Sequence, residues 1–185
     1  MTFKKIQQLL CDRENVLGPR CFAGDSAKAA ALAAHFMPQY SLNAEESPLT
    51  NSEDIVREAI ANPDEFILKP QLEGGGNIFY GDEMRRLLQL TDVHDPEYLH
   101  VQKECILMRK IHSPAETTAL FREKTIVPLE KFALSELGIF GVVLSDGAEF
   151  MLNEPAGYVV RTKPASIQDG GVIAGNACLN SLLVV

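Results

Sequence analysis

The chain has 185 residues, 46% hydrophobic and 23% charged, and its 25 acidic and 17 basic side chains leave a net charge of -8. That length fits one domain or a large piece of a bigger one, and the acidic balance disfavours nucleic acid or anionic lipid as the main partner, because both demand a basic footprint. No run approaches the ~20 apolar residues of a membrane span, and MTFKKIQQLL is too short and polar for the apolar region of a signal peptide. The four cysteines, Cys11, Cys21, Cys105 and Cys178, form neither a C-x-x-C pair nor a zinc-ligand spacing with one of the four histidines. Reduced thiols in the cytoplasm are the simplest reading.

Taken in chain order, residues 2–11 form a short amphipathic helix and DRENVLGPRC reads as a loop. Asp25 or Ser26 caps a helix through about Met37, where AKAAALAAHFM is rich in strong helix formers. Ser52 caps a second helix, EDIVREAIA, whose acidic first turn suits the positive end of the dipole, and Asn62-Pro63 ends it. Phe66 to Lys69 is a short apolar strand closed by Pro70. Gly81 to Leu90 is a helix with Asp82 as its cap. Residues 105–111 are a strand, IFGVVLSDGAEFML is a hairpin turning at Asp146-Gly147, and Tyr158 to Thr162 is a further short strand. The sum is an α+β chain with an antiparallel sheet and flanking helices.

Two small-residue segments carry the chemistry. In Lys69-Pro70-Gln71-Leu72-Glu73-Gly74-Gly75-Gly76-Asn77 a strand delivers one cation, and three residues without Cβ atoms let backbone N–H groups turn toward anionic oxygens. Glu73 offers an oxygen ligand for Mg²⁺, which takes one or two carboxylates plus substrate phosphates. This is not the G-x-x-x-x-G-K-[ST] phosphate loop, so a plain surface loop and a phosphate cradle both remain open. The second segment, RTKPASIQDGGVIAGNA, begins with Arg161 and Lys163, read as facing opposite ways unless the strand ends there, and continues in Gly170-Gly171 and Ala174-Gly175. An exposed Arg-x-Lys pair is the plain alternative.

KPQLEGGGNIFYG resembles the glycine-rich loop of eukaryotic glutathione synthetase, an ATP-grasp ligase. CILMRKI, SELGIFGVVL, VVRTK and DGGVIAGNACLN follow in the order and near the spacing of that family's C-terminal part. The resemblance implies an ATP-grasp-type antiparallel sheet with two glycine-rich lids, 73–81 and 164–177, and with residues 1–185 as the C-terminal portion of the family chain. It also implies ATP with Mg²⁺, the substrates γ-glutamylcysteine and glycine, and either a homodimer or pairing with an N-terminal portion. By the same resemblance Lys4 and Lys69 contact phosphates, Glu73 ligates Mg²⁺, and Gly74, Gly75, Gly76 and Asn77 lie over the phosphates with Tyr80 nearby. Gly74, Gly75 and Arg161 are the implied catalytic positions. Met108, Arg109, Lys110 and Ile111 form the strand edge against adenine, and Glu136 holds the ribose. Arg161 binds a substrate carboxylate, Lys163 and Asp169 reach the nucleotide, and Val172 and Ile173 lie along the substrate.

The chain departs from that pattern at four points. Ile78 stands where the family has a second asparagine, Arg109 where it has glutamate, Leu72 where arginine is common, and Ile173 where alanine is usual. With the apparent absence of an N-terminal part, these departures keep a second reading in play beside the ligase: a shortened paralogue that binds nucleotide or a partner without catalysing ligation.

Overall fold

The computed structural model describes residues 4–43, 52–72, 77–122, 124–127, 132–147, 149–168, 170–173 and 175–182. The chain divides into two compact units, Met1–Ile111 and His112–Val185. Within the described residues the secondary structure is mixed helix and antiparallel sheet.

In the first unit, helix α1 (Lys4–Leu10) is followed by a nine-residue π-helix, Arg13–Cys21, where a loop is the sequence expectation. The Asp12 carboxylate accepts from the Asn15 N–H at 3.1 Å and starts it. Gly18 is obligatory within it, since a Cβ there would lie 2.9 Å from the Arg13 carbonyl oxygen. Helix α2 (Ser26–Ala33) is capped by Asp25, which accepts from the Lys28 N–H at 3.0 Å. It stops at Ala33, short of the Met37 end that the sequence suggests. Helix α3 (Ser52–Ala61) leads through a short 3₁₀ turn at Pro63–Glu65 into a three-stranded sheet. That sheet comprises β1 (Gln39–Ser41), β2 (Phe66–Pro70) and β3 (Cys105–Arg109), in the order β1-β3-β2 with every pair antiparallel.

Helix α4 (Gly81–Leu88) begins with Tyr80 at the cap position, not Asp82, whose carboxylate instead accepts from Arg85 at 2.6 Å one turn on. The first helical position, Gly81, has φ of +51°, which a side chain would resist. Helix α5 (Pro96–Glu104) has no counterpart in the sequence expectations, although Asp95 caps it and Pro96 opens it. Register sorts the sheet into two faces, because directly paired residues share a face and neighbours alternate. Phe66, Leu68, Cys105 and Leu107 form one face, and they pack with Ala59, Met84, Leu87 and Val101 of α3, α4 and α5 into the core. The other face carries Gln39, Ile67, Lys69, Ile106 and Met108.

The second unit is built on β7 (Ala133–Ser145) and β8 (Phe150–Pro164), one antiparallel ribbon turning at Asp146-Gly147 as the sequence indicates. The strand expected over Tyr158–Thr162 is the far end of β8. Strand β4 (Ala115–Glu116) joins β7 and β9 (Cys178–Asn180) joins β8, both at the base of the ribbon, while β5 (Leu120–Arg122) and β6 (Thr125–Val127) form a separate pair. Thr162 is fully buried there, its hydroxyl 2.9 Å from the Ser135 hydroxyl and 3.1 Å from the donating Asn180 side-chain amide.

Candidate functional site

In the first unit, the polar residues singled out by sequence collect around the outer face and the end of β2. Lys69 lies on the same face as Met108 and two positions further along β2 than Met108's partner Ile67, a step of about 7 Å. Beyond Pro70 the chain leaves the sheet and returns at Phe79, which exchanges backbone hydrogen bonds of 3.1 and 2.9 Å with Leu68. This excursion therefore starts and ends on β2. The Lys4 ammonium donates to the Leu72 carbonyl, so the first turn of α1 braces the root of that excursion. Asn77 is exposed beside it and Tyr80 is half-buried where α4 begins. Glu73, Gly74, Gly75 and Gly76 lie outside the described residues.

A cavity of about 300 Å³ opens at the other end of the same face. Met108, Ile111, Leu10, Phe36 and Met37 give it apolar walls, and Gln39, the cross-strand neighbour of Met108, brings a side-chain amide. The Gln39 Oε1 is shielded from solvent and accepts no hydrogen bond, an uncompensated acceptor that costs about 1–3 kcal/mol in an interior. The Gln71 amide at the root of the excursion is likewise shielded, with both polar atoms unpaired. Neither glutamine stands out in sequence, because a glutamine on a three-residue strand or after a proline has the composition of ordinary surface.

Arg109 turns the other way. It shares the core face with Phe66, its guanidinium 4.7 Å from that ring centroid and 2.8 Å from the Glu58 carboxylate. The Glu58 hydrogen bond, followed by one from Tyr40, holds its pKa above the ordinary guanidinium value. A change of charge at position 109 thus falls on the face opposite Lys69 and Met108. The Lys110 N–H donates to the Glu65 carbonyl at 2.8 Å and fixes the end of the strand.

In the second unit, register places Glu136, Arg161 and Lys163 on one face at the base of the ribbon. Arg161 and Lys163 do not face opposite ways: residues two apart on a pleated strand share a face, and Thr162 between them is the one that turns inward. Arg161 ion-pairs with Glu136 directly across the strands. The Lys163 ammonium donates to the Ile167 and Gln168 carbonyls at 2.5 Å each, and Ala165 N–H donates to Phe132 at 2.9 Å, so the turn after β8 is pinned. Val172 and Asn176 lie in a second turn closed by Asn176 N–H to Gly171 O and Gly175 N–H to Val172 O, both 3.0 Å, with Ile173 fully exposed at its tip. Asp169 lies outside the described residues. Among the described residues no three His, Cys, Asp or Glu side chains gather as a metal site.

Residues 2–184 match the family described as eukaryotic glutathione synthase, ATP binding domain. Glutathione synthetase of Rattus norvegicus is 38% identical over 179 residues, covering 96% of this chain and 35% of the rat protein. The chloroplastic glutathione synthetase of Solanum lycopersicum is 36% identical over 189 residues, covering 98% of this chain and 30% of the tomato protein. The chain therefore spans about a third of the length of the curated relatives it matches. Among solved structures, the apo form of a glutathione synthetase-like effector from Globodera pallida superposes with a TM-score of 0.58 over 91% of this chain and 33% of the other, at 17% identity.

Proposed function

The chain belongs to the eukaryotic glutathione synthetase ATP-binding family, and on that premise we propose that it supplies the ATP-grasp portion of a glutathione-forming ligase. Its β2 excursion at 73–81 and the turn segment at 164–177 serve as the two lids. The observation that carries the reading is the common face of β2 and β3, where Lys69 and the Met108 cavity stand about two residues apart. A nucleotide laid along that face has its base in the apolar cavity and its phosphates at Lys69, near Leu72, whose carbonyl accepts from Lys4. The unpaired Gln39 oxygen offers an acceptor to an exocyclic amine of the base.

In the proposed reaction the terminal carboxylate of γ-glutamylcysteine attacks the γ-phosphorus of ATP, the bond to the β-phosphate oxygen breaks, and ADP leaves. The amine of glycine then attacks the acyl phosphate carbonyl, phosphate leaves and one proton is released. Lys69 and the glycine-segment N–H groups neutralise the phosphates, and the closed lids keep water from the acyl phosphate. In the second unit Arg161 takes a substrate carboxylate once it leaves its Glu136 partner, and Glu136, Lys163, Asp169, Val172 and Ile173 keep the ligand roles that the family resemblance implies. Glu73 would hold the Mg²⁺ that accompanies ATP, and the metal would supply charge neutralisation at the phosphates; among the described residues no three metal-ligating side chains gather. Pairing with the family portion not matched here completes the γ-glutamylcysteine pocket, and the free cysteines suit the cytoplasm.

Thermal unfolding with Mg-ATP tests this reading. A ligand at 100 times its Kd adds about 2.7 kcal/mol of stability, a shift expected in the native chain, abolished by Lys69→Ala and kept by Lys103→Ala on α5. An unchanged transition in excess Mg-ATP sinks the nucleotide site. Saturable ATP binding without ADP release, even after addition of the unmatched portion of a glutathione synthetase and both substrates, turns the reading to a non-catalytic nucleotide-binding paralogue.

A further inference from the structure

Among the described residues, the cavity beside Met108 has one shielded polar side chain in its wall. Gln7 and His35 are exposed at its rim, whereas Gln39 is half-buried on β1, and its Oε1 is enclosed by atoms of this chain without a hydrogen-bond donor. The backbone fixes its position. The Gln39 N–H donates to the Cys11 sulfur, Gln39 pairs with Met108 across the strands, and the Arg109 N–H donates to the Pro38 carbonyl at 3.1 Å. The carboxamide is thus held beside the cavity, and its broad terminal torsion can turn the oxygen or the nitrogen inward. An acceptor enclosed without a donor costs stability that an entering donor returns. At about 300 Å³ the cavity lies at the small end of ligand sites and suits one base, not a whole nucleotide.

The polarity of the amide selects the base. It accepts through oxygen and donates through nitrogen. Adenine answers both along one edge, with its amine beside a ring-nitrogen acceptor, the pairing by which glutamine reads adenine in nucleic acids. Hypoxanthine and guanine put a carbonyl oxygen in place of that amine. Two acceptors then face the amide, and either orientation leaves one of them unmatched. We propose that Gln39 is the base-selecting residue of the nucleotide site, accepting from the exocyclic amine of adenine and so favouring ATP over ITP and GTP. Gln39 can act in this way only if the nucleotide lies along β2 and β3, so its role rests on the nucleotide reading above.

Titration calorimetry of the full chain with Mg-ATP and Mg-ITP tests this role. The ratio of the two affinities is the readout, because a loss of folded protein does not change that ratio. ATP is expected to bind about tenfold more tightly than ITP. Gln39→Leu should bring the two within about threefold, while Gln39→Glu, which keeps an acceptor oxygen, should retain a preference for ATP. Equal affinities in the native chain, a full preference in Gln39→Leu, or a preference lost in Gln39→Glu overturns the role of Gln39 and leaves the nucleotide site standing. Saturable binding of neither nucleotide overturns the nucleotide reading, and this role with it.

Discussion

In Met1–Ile111 a sheet with strands of three and five residues lies against α3, α4 and α5, whereas in His112–Val185 strands of 13 and 15 residues pair along their length and the described residues of that unit include no helix. Both sheets are antiparallel and rich in branched apolar residues. Leu107 in the first is wholly buried and Ile139 in the second is three-quarters exposed. Strand sequence alone therefore does not decide burial; the layer packed against the strand does. The short sheet has one face secured by helices, while residues on both faces of the long ribbon are exposed among the described residues.

The comparison breaks first at its centres. Leu107→Ala should cost about 2–5 kcal/mol by denaturant unfolding, while Ile139→Ala should stay within about 0.5 kcal/mol; equal losses would mean that the ribbon is already covered in solution. A second difference is titratable. Burial, with a smaller contribution from the Glu104 charge against an opposing one from Lys5, pushes the buried Cys105 thiol from 9.0 up to about 11. A thiol that keeps its proton longer when folded contributes stability in full below pH 9.0 and loses it as pH rises to about 11. The loss is on the order of 3 kcal/mol at most, and Cys105→Ala should flatten that part of the pH–stability curve whatever its offset; an unchanged slope refutes the assignment. The smallest effect belongs to the base of the ribbon. Thr162→Val should cost about 1–2 kcal/mol, since it leaves the buried hydroxyl's partners at Ser135 and Asn180 short of a hydrogen bond. A neutral result would mean that β9 does not depend on that network.

Local chemistry makes much of both units legible. Asp25 before an alanine-rich run predicts the α2 start, and the Asp146-Gly147 turn predicts the hairpin. Asp95-Pro96 carries an equally clear start for α5, visible once sought. The π-helix was not legible, because Gly18-Pro19 has turn composition and its helical form rests on how the backbone around Gly18 closes on the Arg13 carbonyl. In sequence the single long β8 has the pattern of two short strands, because Pro155 and Gly157 interrupt it while still pairing, as a bulge near Gly141 absorbs the irregularity.

Of the candidate site, sequence order singles out Lys4, Lys69, Arg161 and Lys163 as candidates through their resemblance to one family. Which of them meet is a tertiary matter. Cross-strand register sets Lys69 on the face of Met108 and turns Arg109 to the core, and it joins Arg161 to Glu136. Gln39 and Gln71 gain meaning only from packing, since an amide becomes an unsatisfied group when neighbours exclude water from it. Sequence determines the elements through local propensity, caps and turns; the tertiary structure decides faces, partners and burial, because those depend on atoms distant in the chain.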